Sequence, residues 1–323
     1  MIEEIVNNLY KIEIPLPETA LRSLNSYVIK AQDRNLIIDT GMNREECRNT
    51  MESSLRELGV DIRKTDFFIT HFHTDHLGLV SSLARDSSTI YFNQPDADRF
   101  NLGIFLDDVI SFAPLNGIPE KEVQRIPQTL PGFKFRAKGP LSFHILGEGD
   151  TLRVSDYVFN CVETPGHSKG HMCLYEPSKK IFVAGDHILG DITPAITLWS
   201  DEGNPLKEYL ESLDKVYQFD IKLVLPGHRE ILTNPTERIQ ELKDHHLERL
   251  DEIIAILRKG RGNAYQVASQ MSWDIAYDSW DLFPVMQKLF ATGEAIAHLK
   301  YLEEAGSIRK ETREGQLIYS LNV

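Results

Sequence analysis

Cysteine is scarce in this chain, and long apolar runs and an excess of positive charge are missing from it. Three cysteines among 323 residues form no paired disulfide framework, which indicates a reducing compartment. No run of about 18 apolar residues occurs, so a membrane span is not expected. Two of the first four residues, Glu3 and Glu4, are acidic where a secretory signal peptide would be basic. These absences predict a cytoplasmic protein that does not enter a membrane.

The charge balance is acidic, because 48 Asp and Glu residues stand against 35 Lys and Arg residues, for a formal net charge of −13. Such a surface repels phosphate backbones at long range. Nucleic acid stays open as a partner, but the charge does not favour it. A small-molecule substrate is the expected partner, and a chain of this length predicts two domains.

A dense group of histidines directly follows a short apolar run. The run DFFIT at residues 66–70 predicts a buried strand, and HFHTDH at residues 71–76 comes immediately after it. Three imidazoles and a carboxylate that leave a strand on a tight turn can converge on one point. A divalent metal requires such convergence, whereas ordinary packing does not.

Three later loops repeat this construction, each with an apolar run that ends in Gly or Pro-Gly before a His or Asp. Glycine lets the backbone turn sharply and approach a metal without an intervening side chain. The polar residues in these loops are His167 after TPG, Asp186 and His187 after AG, and His228 after LPG.

In this order, HFHTDH, TPGHS, AGDH and LPGH resemble the metallo-β-lactamase-fold hydrolase superfamily in its binuclear HxHxDH form. The resemblance covers about the first 230 residues, and Asp39 before Thr40 and the stretch at residues 146–150 also match it. It implies an α/β fold, the αββα sandwich, in which two sheets pack face to face with helices on both outer faces.

The resemblance also implies a site for two divalent metal ions, most simply Zn²⁺, with Fe or Mn as alternatives. A hydroxide bridging the two ions would attack the substrate, and Asp75 and Asp186 would be the catalytic residues that orient it and move its proton. In the implied ligand set, His71, His73 and His167 hold the first ion, Asp75, His76 and His228 hold the second, and Asp186 bridges both.

Two positions separate this chain from other branches of that superfamily. The β-lactamase branch has a thiolate where Asp186 stands, and the oxygen-reducing diiron branch has a glutamate where His73 stands. The first difference argues against the β-lactamase branch, and the second argues against redox chemistry. Glyoxalase II relatives carry C-terminal glutathione-binding helices, which the sequence after residue 235 does not predict.

The remaining polar residues near these motifs receive supporting roles. His171 is expected to support a ligand or to pack, and His187 is expected to point away from the site. Asp39 is expected to accept the second N–H of a ligand imidazole, with a plain turn residue as the alternative. His144 has no partner that the sequence identifies.

We predict a catalytic domain at residues 1–235, with an apolar helical insertion at about residues 95–140 that prolines break into short pieces. Two interpretations of this insertion stay open. As a lid over the site it would select substrates with an apolar portion. As a packed surface excursion it would have no part in selection.

Residues 236–323 predict a winged-helix-like domain. A helix at residues 236–259 carries an apolar stripe that includes Leu247, and a later helix leads into a strand–turn–strand segment. Such a tail is similar to the branch that includes a mitochondrial single-strand endoribonuclease. We expect it to pack on the catalytic domain or to form a homodimer interface. His245 and His246 are expected to be solvated, and His298 has no predicted partner.

Three functions compete on this basis. The leading hypothesis is a metal-dependent hydrolase of a small ester, thioester or lactone with an apolar portion. The alternative is a single-strand-specific endoribonuclease, which the tail alone favours. A non-enzymatic binding protein on a retired hydrolase fold is the third, and the complete ligand set argues against it.

Overall fold

Two β-sheets form the centre of the fold in the computed structural model, which describes residues 1–103, 105–129, 134–274 and 277–322. The first sheet has seven strands in chain order, antiparallel from β1 to β4 and parallel from β4 to β7. Its strands are β1 (Ile2–Val6), β2 (Leu9–Leu16), β3 (Arg22–Ile29), β4 (Asn35–Ile38), β5 (Thr65–Phe68), β6 (Ile90–Asn93) and β7 (His144–Leu146).

The second sheet has six strands in the order β13-β12-β11-β10-β9-β8. The β11–β12 pair is parallel and the other pairs are antiparallel. Its strands are β8 (Thr151–Val154), β9 (Tyr157–Glu163), β10 (Met172–Glu176), β11 (Ile181–Gly185), β12 (Leu223–Pro226) and β13 (Leu232–Thr233).

Apolar side chains from both sheets fill the space between them. Each contributes about 1.5–3 kcal/mol when it is fully buried. The contributors include Leu9, Tyr27, Ile38 and Phe68 from the first sheet and Phe159, Leu174, Val183 and Leu225 from the second. This shared core makes the two sheets a face-to-face sandwich.

Helices cover the outer faces of the sandwich. Met51 and Leu55 of α1 (Glu45–Glu57) join the core on the outer side of the first sheet. On the second sheet, Ser212 in α8 (Pro205–Tyr217) donates a hydrogen bond to the carbonyl of Pro165. The αββα architecture is confirmed.

The other helices are short, except for the two long helices at Thr236–Lys259 and Val285–Glu304. Short helices after residue 94 confirm the prediction of helical pieces there, although residues 104 and 130–133 of that stretch lie outside the described residues. No helix in the described part of the chain has both the length and the apolar character to cross a bilayer. These helices are α2 (Thr74–Leu77), α3 (Val80–Leu83), α4 (Gln94–Leu102), α5 (Phe105–Phe112), α6 (Glu120–Val123), α7 (Ile126–Thr129), α9 (Thr236–Lys259), α10 (Ala264–Ala268) and α11 (Val285–Glu304).

The chain divides into two compact units. The first contains the described residues of Met1–Leu102, Pro131–Pro194 and Ser212–Arg238, and it holds both large sheets. The second contains those of Gly103–Leu130, Ala195–Glu211 and Ile239–Val323. The predicted domain limits at residues 1–235 and 236–323 stay a prediction.

In the second unit, α9 and α11 bury two histidines, His246 and His298. The Nδ1 atom of His298 donates to the carbonyl of Glu294 at 2.8 Å, so its Nε2 accepts from His246 Nδ1 at 3.1 Å. Burial lowers the pKa of His246 well below its usual value and that of His298 to about 4, so both are neutral at pH 7. The prediction of a solvated His246 was wrong, because a histidine bonded to another histidine can be buried without charge.

The buried stripe of α9 also differs from the prediction at one position. Leu247 is 49% exposed, whereas His246 and Arg249 are buried. Successive residues on a helix are about 100° apart, so the face that buries positions 246, 249 and 250 turns position 247 toward solvent.

A helix followed by a hairpin ends the chain, as predicted. After α11, β14 (Ile308–Arg313) pairs antiparallel with β15 (Gln316–Leu321). Glu314 and Gly315 between them have φ values of 49° and 78°, as two-residue type I′ hairpins require. The winged-helix assignment of the whole segment stays a prediction.

Candidate metal centre

All seven predicted ligands lie together in the first unit, where the ends of four strands meet. They form three groups, and the candidate ligand atoms within each group lie within 4.8 Å of one another. The groups are His71, His73 and His167; His71, His76 and Asp186; and Asp75, His76 and His228. The ligands follow β5, β9, β11 and β12, so the fold brings the four sequence motifs to one place.

The first group is a cluster of three facing imidazoles. The Nδ1 atom of His73 lies 2.9 Å from His71 Nε2 and 2.9 Å from His167 Nε2. Burial lowers the pKa of His71 and brings that of His73 to about 3, and the neighbouring histidines add to both effects. Neutral imidazoles with converging nitrogen atoms are suitable ligands for a divalent ion.

Asp186 links this cluster to the remaining ligands. Its Oδ2 atom lies 3.5 Å from His167 Nε2, whereas its Oδ1 atom lies 3.5 Å from His76 Nε2 and 3.6 Å from His228 Nε2. The same His228 nitrogen lies 3.3 Å from Asp75 Oδ2. One carboxylate oxygen therefore faces each side of the site.

Asp39 fixes the orientation of one ligand histidine. Its Oδ2 atom accepts from His76 Nδ1 at 2.7 Å and from the Thr70 hydroxyl at 2.8 Å. Its Oδ1 atom accepts the Thr70 backbone N–H at 2.9 Å. The supporting role predicted for Asp39 is confirmed. Thr70 was missed, although its position directly before the first ligand histidine was a signal.

Backbone groups hold two more histidines of the site, His228 and His171. His228 Nδ1 donates to the Ser23 carbonyl at 2.7 Å, which turns Nε2 toward the site. His171 Nε2 accepts the Asp186 backbone N–H at 3.1 Å, so its predicted supporting role is confirmed. His187 is buried, and it belongs to none of the three groups found among the described residues.

The residues present fit a divalent metal. Among the described residues, three buried atoms that face the site have no hydrogen-bond partner: His76 Nε2, Asp186 Oδ1 and His228 Nε2. Leaving a buried polar atom unpartnered costs about 1–3 kcal/mol. A cation would supply the missing partner for all three, and a set of imidazoles and carboxylates suits zinc, iron or manganese.

The electrostatics around Asp75, His76 and His228 also favour a positive ion. Burial lowers the pKa of His228, but the negative charges of Asp186 and Asp75 outweigh burial and raise it to about 10. Burial raises the pKa of Asp75, but His76 and His228 outweigh it and leave the pKa below its usual value. The two carboxylates thus stay charged and hold positive charge beside them.

At position 227 the backbone lies so close to the site that only glycine fits. A Cβ atom at this position would lie 2.5 Å from Asp186 Oδ1 and 2.8 Å from His76 Cε1. We expect Gly227→Ala to displace the carboxylate and to lower kcat/KM by about tenfold or more, because such overpacking costs about 1–3 kcal/mol. Steady-state kinetics and metal analysis measure this. Gly260→Ala is the matched control, since a Cβ there meets nothing within 4 Å; equal behaviour of the two variants would contradict the prediction.

Comparisons with known sequences agree with this geometry. The profile of the Metallo-beta-lactamase superfamily matches residues 20–228, and that of the Metallo-beta-lactamase-like C-terminal domain matches residues 281–320. The chain is 26% identical to the probable metallo-hydrolase YqjP of Bacillus subtilis (strain 168), covering 95% of this chain and 96% of that protein. It is 24% identical to an atrochrysone carboxyl ACP thioesterase of Emericella nidulans, covering 69% of this chain and 57% of that protein.

The similarity extends to a solved structure over nearly the whole chain. A metallo-beta-lactamase family protein from Thermus thermophilus superposes with a TM-score of 0.83 at 25% identity. The superposition covers 99% of this chain and 100% of that one. With the superfamily profile matched over more than half of the sequence, the chain is a metal-dependent hydrolase of the metallo-β-lactamase superfamily.

Proposed function

We propose that this hydrolase cleaves acyl thioesters with an apolar acyl portion, at a centre that holds two divalent ions. The division of the two Asp186 oxygens between the His167 side and the His76–His228 side carries the proposal. Among esters, thioesters and lactones, the relative named as an ACP thioesterase supports the thioester. Zinc is the proposed metal, with iron or manganese as substitutes.

Water is the nucleophile in this proposal, because the cysteines are unsuited to the role. Cys47, Cys161 and Cys173 are all buried and outside the three ligand groups of the described residues. Burial raises the pKa of each thiol, that of Cys161 to about 12. A thiol protonated at neutral pH is a poor nucleophile.

The carboxylates of the site have distinct tasks in the reaction. Cations bound here would supply Lewis acidity, which lowers the pKa of water and polarises an acyl carbonyl. Asp75, which its lowered pKa keeps ionised at neutral pH, accepts a proton from the attacking water and later gives it to the departing sulfur. A C–O bond forms, the C–S bond breaks, and the products are a carboxylic acid and a thiol. Asp186 holds the two sides of the site together.

A substrate panel tests this function. The metal-loaded protein is given acyl-coenzyme A thioesters of increasing chain length, matched oxygen esters and lactones, and single-stranded RNA. We expect thiol release, measured with a chromogenic disulfide, that increases with acyl length, and no RNA cleavage. Asp75→Asn, which keeps the shape of the side chain but removes its basicity, should lower thioester turnover by about 10²–10⁴-fold.

Two results would contradict the proposal. Metal-dependent cleavage of RNA that Asp75→Asn abolishes, without thiol release from any thioester, would select the endoribonuclease alternative. Turnover of none of these substrates by protein that carries its metals would return the non-enzymatic binding protein to consideration.

A further inference from the structure

Asp96 is a buried carboxylate in the first turn of α4, and it joins two separate loops. Its Oδ2 atom accepts the Phe72 backbone N–H at 3.0 Å and the Ser168 hydroxyl at 2.7 Å. Its Oδ1 atom accepts the Gly170 backbone N–H at 2.8 Å. The residue is 0% exposed, so these three donors replace the solvation that the carboxylate loses.

Both of these loops carry ligands of the same imidazole cluster. Phe72 stands between His71 and His73, and Ser168 directly follows His167. His73 in the β5 loop and His167 in the β9 loop are 94 residues apart in sequence, and their Nδ1 and Nε2 atoms nevertheless lie 2.9 Å apart. The hydrogen bonds of Asp96 therefore cross between the two loops next to the point where their imidazoles meet.

We propose that Asp96 is a positioning residue for the cluster of His71, His73 and His167: it holds the two loops in register so that the three imidazoles converge before a cation binds. The inference rests on the metal site of the proposed function. His76 and His228 have their own supports in Asp39 and the Ser23 carbonyl, so the effect of Asp96 falls on the first ion.

The close approach of the β9 loop to α4 supports this role. A Cβ atom on Gly170 would lie 2.6 Å from the Asp96 backbone nitrogen and 2.8 Å from its Cγ atom. The β9 loop therefore packs on the start of α4 at a distance that only glycine permits. This contact fixes the distance between the β9 loop and α4, and the hydrogen bond from Phe72 to Asp96 connects the β5 loop to the same point.

Asparagine cannot replace this carboxylate, although it has the same shape. Three donors converge on both carboxylate oxygens, and an amide offers one oxygen and one NH₂ group. In either orientation of the amide, its NH₂ faces a backbone N–H of Phe72 or Gly170. At least one buried donor then loses its partner, and the hydrogen bonding that joins the two loops through Asp96 is weakened.

The test compares Asp96→Asn with Asp66→Asn in the full-length protein. Asp66 is also a buried carboxylate of the first unit, bonded to Arg34 and to the Thr89 backbone N–H, at the start of β5 rather than at its ligand end. Zinc binding is measured by competition with a chromophoric chelator, which resolves two equivalents of different affinity. Thermal unfolding of the metal-free proteins is recorded beside it.

We expect Asp96→Asn to weaken one of the two zinc equivalents by about 10–100-fold and to leave the other unchanged. Asp66→Asn should lower the unfolding temperature and retain both equivalents. Wild-type affinities for both zinc equivalents in Asp96→Asn would overturn this inference but not the proposed function. So would equal losses of zinc in the two variants, because the effect would then follow general stability.

Two further results complete the design. If Asp96→Asn does not fold, Ser168→Ala decides, since it removes one of the three hydrogen bonds. A several-fold weakening of one equivalent supports the inference, and wild-type affinities overturn it. A wild-type protein that binds no zinc, iron or manganese overturns the proposed function itself, and the inference with it.

Discussion

Asp186→Asn is expected to lower kcat/KM for the preferred thioester by about 10³-fold or more and to reduce the bound metal per chain. The carboxylate faces His167 with one oxygen and His76 and His228 with the other, so it serves both sides of the site. Asparagine keeps the shape but has no charge and a single acceptor oxygen. Removing one aligned electrostatic group from an active site costs about 10²–10³-fold, and weakened metal binding adds to this loss.

Asp191→Asn is the matched control for this variant, because it makes the same change five residues further along the same loop. The Asp191 side chain is 67% exposed, and its nearest cationic atom is Arg229 Nε at 3.9 Å. Exposed ion pairs contribute about 0–1 kcal/mol, so its kinetics and metal content should match those of the wild type. An Asp186→Asn protein within tenfold of wild-type activity and with full metal content would rule out the bridging role.

Chelation of the metals is expected to abolish turnover and to lower the unfolding temperature by several degrees. An ion that binds only the folded state stabilises it by about 2.7 kcal/mol at a free concentration one hundred times its Kd. For a unit of this size, each kcal/mol corresponds to about 2–4 °C. Thermal unfolding with and without chelator, followed by dialysis into zinc, manganese or ferrous iron, measures both effects.

The Asp186→Asn variant should show a smaller shift in the same experiment, because it lacks the carboxylate that is proposed to hold both ions. Activity should return with the metals, and the metal that restores it best identifies the working ion. An unfolding temperature and a turnover rate that excess chelator leaves unchanged would exclude a metal-dependent reaction.

The seven candidate ligands were identifiable from the sequence because each lies in the same local pattern. Each of four apolar strands ends in a tight turn that carries His or Asp, and three of these turns have a glycine before the polar residue. The strand end fixes where each side chain leaves the sheet. The supporting roles of Asp39 and His171 followed from the requirement that a ligand imidazole or carboxylate be held by a second group. These are properties of short segments, so the sequence contains them.

Asp96, His246 and Leu247 mark the limit of such reasoning. Asp96 contacts Phe72 and Ser168 from 24 and 72 residues away, and His246 pairs with His298 from 52 residues away. The apolar spacing that placed Leu247 in the buried stripe contains no information about the partner of His246 on another helix. Each case depends on which groups meet after distant segments pack.

The sequence by itself indicated the type of fold, the candidate ligand residues and the hydrolytic chemistry through its resemblance to the superfamily, because the motifs that carry this resemblance are local features. Only the tertiary structure decided how the two oxygens of Asp186 are divided between the two sides of the site. It also decided which buried carboxylate holds the ligand loops together. Hydrogen bonds between distant segments depend on packing distances that no stretch of sequence specifies alone.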